Sequence, residues 1–110
     1  MNLTIDVTNK ENVAYVVLSG EVDAFTAPKL KDALLPLTKE EGQTVEVDLQ
    51  NVNYMDSTGL GVFISALKST KEYNTDLKLV QMQERVYRLF KITGLTEIMN
   101  IDSTVQGGMQ

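Results

Sequence analysis

One short stretch combines hydroxyl, carboxylate and glycine residues at a spacing suited to chemistry. Asp56, Ser57 and Thr58 are followed by Gly59 and, one residue later, by Gly61. A serine or threonine hydroxyl can act as a nucleophile when a base activates it, or it can accept a phosphoryl group from another enzyme. The stretch joins a strand-like segment to a helix-like one. We therefore expect the hydroxyls at the carboxyl edge of a sheet, where α/β proteins present functional groups.

The composition disfavours Ser57 as the nucleophile of an enzyme. The 110-residue chain has no histidine and no cysteine, which removes the commonest general base, the usual triads and thiolate metal sites. A base would have to be Asp56, Asp23 or a lysine. A Ser-x-x-Lys motif starting at Ser57 is excluded, because its fourth position is Leu60. The glycine-containing stretch is not a phosphate-binding loop, because it has no Gly-Lys-Ser/Thr sequence. We expect no catalytic residues, no metal and no cofactor.

The same residues also suit the start of a helix. The Ser57 hydroxyl can cap it by accepting from the N–H of Gly59 or Leu60, and Asp56 sits favourably near the positive end of the helix dipole. Each glycine costs up to about 1 kcal/mol against alanine in a helix. A helix start that needed only stability would not carry both. Gly59 and Gly61 are therefore expected to bare the backbone so that another chain or a phosphate can come close.

The overall charge and hydropathy narrow the class of partner. With 10 Lys and Arg against 15 Asp and Glu, the net charge is −5, which disfavours nucleic acids and anionic membranes as partners. No apolar run approaches the roughly 20 residues of a membrane span. Residues Met1–Thr4 lead directly into a strand-like pattern without a basic or apolar leader. We expect one cytoplasmic domain over residues 1–110, without nucleic-acid or membrane partners.

The hydrophobic pattern predicts the strands that position this stretch. Leu3, Ile5 and Val7 alternate with polar residues, and a short polar turn leads to the apolar run Val13–Leu18. The two segments predict a hairpin whose second strand is covered on both faces. Three later strands are predicted around Val45, Val47 and Leu49, around Leu77 and Leu79, and around Ile98, Met99 and Ile101.

Three helices lie between these strands. The first is predicted to start at Thr26 as the cap, with Pro28 in its first turn and Pro36 tightening its end. The second runs through Leu60, Phe63, Ile64 and Leu67; the third runs through Val86, Leu89 and Phe90 and ends at Gly94.

The predicted order is β-β-α-β-α-β-α-β, an α/β domain with a mixed sheet of four or five strands. Alternation in the third and fourth strands places the helices mainly on one face. The polar tail 102–110 is expected to fray.

Three blocks of residues together resemble a known family. The chain resembles the STAS-domain anti-sigma-factor antagonists in Gly20–Asp23, Tyr54–Gly61 and Arg88–Leu95. Within that family it most resembles the antagonist of the general stress response of Gram-positive bacteria. The resemblance runs from the first strand to about Ile101. It implies that an anti-sigma factor, itself a serine kinase, phosphorylates Ser57 with its bound ATP. It also implies that the unphosphorylated form binds that factor and releases the sigma factor, and that a PP2C-type phosphatase restores this form.

The resemblance and the element order together define a partner-binding surface. We expect it to contain Asp23, the segment from Asp56 through Thr58 to Gly61, and the exposed face of the second helix. Asp23 should share a sheet edge with Ser57, although it can equally be a turn carboxylate. Ser57 is preferred to Thr58 as acceptor for two reasons. The resemblance implies the serine of the motif, and a capping hydroxyl stays at the surface, whereas Thr58 would fall inside the helix and be less available.

Two alternatives remain. One is a passive STAS-type interaction module without phosphorylation. The other is a receiver-like phospho-acceptor domain. Such a domain would open with an acidic pair after a buried first strand, whereas this chain opens with a predicted hairpin.

Overall fold

The chain begins with a β-hairpin in the computed structural model, which describes residues 2–102. Strands β1 (Leu3–Lys10) and β2 (Val13–Val22) pair antiparallel, with Leu3 opposite Gly20 and Lys10 opposite Val13. Glu11, in the two-residue connection, adopts a positive φ of 56°, as tight hairpin turns require. The hairpin predicted from the alternating pattern is confirmed.

The remaining elements follow in the predicted order. They are α1 (Ala27–Leu34) with a 3₁₀ extension over Leu35–Lys39, β3 (Thr44–Met55), α2 (Ser57–Tyr73), β4 (Asp76–Val80), α3 (Glu84–Ile92), a 3₁₀ turn at Leu95–Glu97 and β5 (Asn100–Ile101). The sheet order is β1-β2-β3-β4-β5, and every pair after the hairpin is parallel. Within residues 2–102, no helix is long and apolar enough to cross a membrane.

The helices cover one face of the sheet. Val45, Val47 and Leu49 on β3 are fully buried on that face, while the alternating Glu46 and Asp48 remain half-exposed on the other. Phe63 of α2 and Phe90 of α3 meet edge to face in the same core, with ring centroids 6.0 Å apart. The one-sided arrangement predicted from strand alternation is confirmed.

Two expectations about the strands are wrong. Tyr15 and Val17 of β2 are 38% and 39% exposed, so β2 is covered on one face only. Its unbroken apolar run resembles that of a doubly covered strand because β-branched and aromatic residues also suit an open sheet face. The last strand contains only Asn100 and Ile101, because the chain first makes a 3₁₀ turn that leaves Ile98 60% exposed.

The start of the polar tail is tied to the sheet. The backbone N–H of Asp102 donates to the carbonyl oxygen of Leu79 at 2.9 Å. The rest of the tail for which fraying was expected, residues 103–110, lies outside the described part of the chain.

The core contact between α2 and α3 predicts how two substitutions on α3 differ. Phe90→Ala should lower the free energy of unfolding by about 3–5 kcal/mol, because it leaves a cavity against Phe63. Ile92→Ala is a matched control on the same helix, 79% exposed, and should change it by no more than about 0.5 kcal/mol. Urea unfolding followed by circular dichroism measures both. Equal losses would contradict the packing described above.

Candidate functional site

The start of α2 is held against the end of β2. Met55, the last residue of β3, pairs with Val22 in the parallel register. One residue later, the backbone N–H of Asp56 donates to the carbonyl oxygen of Val22 at 3.2 Å. The loop after β2 and the first turn of α2 therefore emerge side by side at the carboxyl edge of the sheet.

Asp56, and not Ser57, caps helix α2. The Asp56 backbone is extended, at φ −111° and ψ −173°, and its Oδ1 accepts the N–H of Gly59 at 3.0 Å. The expectation that Ser57 is the cap is therefore wrong by one residue. Aspartate caps as well as serine does, and here the residue with the non-helical backbone is Asp56. Ser57 becomes the first helical residue, exposed, with no capping bond to occupy its hydroxyl.

Thr58, the second residue of α2, is also exposed. Thr58 lies inside the helix, as expected, but the exposure of the two residues gives no reason to prefer either hydroxyl. Both residues lie in the first turn of α2. Their side chains are exposed because the helix packs against the rest of the domain through later residues. The preference for Ser57 as acceptor rests on the motif.

The two glycines of the motif differ in their surroundings. Gly59 is buried, and a Cβ on it would lie 2.6 Å from Cγ1 and 2.7 Å from the carbonyl oxygen of Val22. Gly59 is thus required for the close packing of α2 on β2, which is not the exposed role expected for it. Around Gly61, a Cβ would meet nothing within 4 Å. The expectation of an open backbone fits Gly61 alone.

Asp23 serves as a turn carboxylate. It is only 6% exposed, and its Oδ1 accepts the N–H groups of Phe25 at 2.9 Å and Thr26 at 3.0 Å. The Thr26 hydroxyl in turn accepts the N–H of Asp23 and donates to the carbonyl oxygen of Glu21 at 2.8 Å. Thr26 lies at the N-cap position of α1, but its side chain closes this turn and makes no capping bond. The loop is therefore rigidly shaped by its own side chains.

A surface cavity of about 310 Å³ joins the two loops. The expectation that Asp23 shares an edge with the motif is confirmed, because the six residues lining this cavity are Glu21, Asp23, Ala24, Phe25, Tyr54 and Asp56. Three of the six are acidic and none is basic. Negative potential should therefore concentrate beside Ser57.

Two aromatic residues at this cavity were missed by the sequence reasoning. Phe25 is 83% exposed and Tyr54 is 46% exposed. Large apolar side chains at the surface beside a polar rim are typical of protein-binding sites. The signal in the sequence was weak, because Phe25 stands alone in a loop and belongs to neither strand nor helix periodicity. Among residues 2–102 no group of three or more potential ligands is placed to hold a metal ion.

The comparisons with known proteins agree with this geometry. A family model described as the STAS domain matches residues 4–108. The chain therefore belongs to the STAS domain family.

Its relatives define a narrower group within that family. The anti-sigma-B factor antagonist of Bacillus subtilis (strain 168) is 44% identical over 110 residues, covering 100% of both chains. At this level of similarity the chain belongs with the anti-sigma-B factor antagonists, which are regulatory proteins and not enzymes.

Solved structures share the fold. An anti-sigma factor antagonist from Mycobacterium paratuberculosis aligns with a TM-score of 0.83 at 24% identity, covering 94% of this chain and 87% of that one. SpoIIAA in its unphosphorylated form aligns with a TM-score of 0.72 at 12% identity, covering 92% of this chain and 89% of that one. Bacillus SpoIIAA in its phosphorylated form gives 0.70 at 15% identity, covering 91% and 92%.

The capping geometry predicts unequal effects of substitutions at two neighbouring residues. Asp56→Ala should lower the free energy of unfolding by about 1 kcal/mol, because the N–H of Gly59 loses its acceptor. Asp56→Asn keeps an acceptor oxygen, so it should lower the free energy of unfolding by only a few tenths of the loss expected for Asp56→Ala. Ser57→Ala should also be nearly neutral, since the hydroxyl does not cap. Thermal unfolding of the three variants measures this, and a larger loss for Ser57→Ala than for Asp56→Ala would return the cap to Ser57.

Proposed function

We propose that this chain is a partner switch controlled by phosphorylation of Ser57. The unphosphorylated form binds an anti-sigma factor that is a serine kinase, and this binding releases the sigma factor. The kinase transfers the γ-phosphoryl group of its own ATP to Ser57, which ends the binding. A PP2C-type phosphatase removes the phosphate in the cytoplasm and restores the active form.

The observation that carries this proposal is the exposure of Ser57 beside a cap supplied by Asp56. A kinase must bring its ATP in line with the acceptor hydroxyl, so the acceptor has to be at the surface on a rigid support. Because Asp56 satisfies the N–H of Gly59, transfer to Ser57 breaks no capping bond. The helix start therefore persists while the hydroxyl is modified.

The expected partner surface surrounds this acceptor. Asp56 through Gly61 form its centre, and the loop of Asp23 and the exposed face of α2 flank it. Asp23 holds the loop in shape and its neighbour Phe25 supplies exposed apolar area, so the loop contributes mainly through Phe25. Aromatic anchors of this kind carry much of the binding energy at protein interfaces.

The phosphate should act at this interface and leave the fold unchanged. It adds about −1.5 to −2 charges at pH 7. At the N-terminus of α2 the helix dipole favours an anion by about 0.3–1 kcal/mol, and repulsion from Asp56 and the acidic cavity opposes this. Both contributions are small against a typical stability of about 5–15 kcal/mol. An unmatched charge in a desolvated interface costs several kcal/mol, and about 1.4 kcal/mol is a tenfold change in affinity.

The first test identifies which of the two hydroxyls, that of Ser57 or that of Thr58, accepts the phosphate. The chain is incubated with the purified anti-sigma-B factor of its own source and ATP, followed by intact mass and phosphopeptide mapping. We expect one phosphate on Ser57 in the native chain and in Thr58→Ala, and none in Ser57→Ala.

The binding of the same variants tests the switch itself. Ser57→Ala should bind the anti-sigma factor about as well as the native chain does, and Ser57→Asp at least about tenfold more weakly, because it places an unmatched charge in the interface. Phosphate on Thr58 would move the acceptor by one residue. Absence of phosphate with intact binding would instead favour the passive interaction module.

Backbone NMR of the free and phosphorylated forms tests whether the switch is local. Chemical-shift changes should be confined to Asp56 through Gly61 and to the loop of Asp23, because the opposed charge effects are small against the stability of the fold. Amide signals of β1 and α3 serve as internal controls and should stay in place. Large changes across these elements would indicate a global conformational change and would refute the local electrostatic account.

A further inference from the structure

A second surface depression lies between α1 and α2, next to the acceptor. It is an open groove of about 350 Å³. Ala27 and Pro28 of α1 form one side, Gly61 and Val62 of α2 form the other, and Thr58 lies at the end towards Ser57. Lys31 and Asp32 belong to its polar rim. The groove therefore has small or apolar walls, a charged edge and direct continuity with the first turn of α2.

Gly61 has no role in the fold that another residue could not fill. Among the five glycines of residues 2–102, three have a positive φ and Gly59 packs against Val22. Gly61 has neither feature, since it lies within the helix and an added Cβ meets nothing within 4 Å. Alanine is the better helix former at such a position. The glycine weakens α2 without any compensation inside the molecule.

We propose that the groove between α1 and α2 receives an apolar side chain of the anti-sigma factor kinase, and that Gly61 keeps the groove open for it. This inference rests on the function proposed above and adds α1 to the partner surface. The groove is continuous with the first turn of α2, which favours the kinase as its occupant. A kinase that reaches the hydroxyl of Ser57 must cover the neighbouring Thr58, and Thr58 already lines the groove. Small apolar walls behind a polar rim match the pockets that bury anchor side chains in protein complexes.

Gly61→Ala separates folding from binding because the two effects have opposite signs. The midpoint of thermal unfolding should rise by about 4 °C, since alanine is the better helix former. Affinity for the purified anti-sigma-B factor should fall about tenfold, and Gly61→Leu, which fills the groove, should lose about a hundredfold. Gly59→Ala should lower the unfolding midpoint, because its Cβ collides with Val22.

Lys91→Leu is the control for added apolar bulk outside the proposed partner surface. Lys91 is exposed in the last turn of α3, a helix that does not belong to that surface. Its binding should equal that of the native chain. Isothermal titration calorimetry gives the affinities and differential scanning calorimetry gives the midpoints.

The outcomes distinguish this inference from the proposed function. If the native chain binds and is phosphorylated on Ser57 while both Gly61 variants bind equally well, the groove inference is overturned and the proposed function stands. If Gly61→Ala lowers the unfolding midpoint, Gly61 is needed for folding and the inference is also overturned. If the native chain neither binds nor is phosphorylated, both fail.

Discussion

The close approach of the first turn of α2 to the end of β2 is the contact on which the site depends. The N–H of Asp56 donates to the carbonyl oxygen of Val22, and Gly59 leaves no room for a side chain above the same residue. Since Val22 leads directly into the loop of Asp23, this one contact sets the distance between the two loops. Any side chain at Gly59 would push the helix start away from the sheet and open the acidic cavity.

Because Asp56 is the capping residue, the proposed phosphorylation of Ser57 would leave the helix cap intact. A serine that both capped the helix and accepted phosphate would exchange a neutral hydrogen bond for a bulky dianion at the same atom. Here the carboxylate of Asp56 holds the N–H of Gly59, and Ser57 stands one residue further on at the surface. Capping and the proposed phosphorylation thus fall on adjacent residues, so a change of charge at Ser57 would leave the capped backbone in place.

The core and the aromatic residues beside the motif illustrate a similar division. One face is closed by the three helices over a continuous apolar core, and this face supplies the stability of the domain. Exposed apolar area near the motif, at Phe25 and Tyr54, contributes little to folding because it is largely left in water. Exposed aromatic residues beside a polar rim are typical of protein-binding sites, and these two line the cavity that joins the site loops.

The order of elements, the mixed sheet and the one-sided packing could be predicted from the sequence, because period-2 and helical spacing directly encode which face is buried. The motif and its place at the carboxyl edge followed from the same pattern. Other features required the tertiary structure. Asp56 and Ser57 are both good caps in sequence, and only the backbone conformation selects Asp56. Gly59 and Gly61 are the same residue type in the sequence, but their environments differ. Val22, which is distant in sequence, packs against Gly59 and not against Gly61.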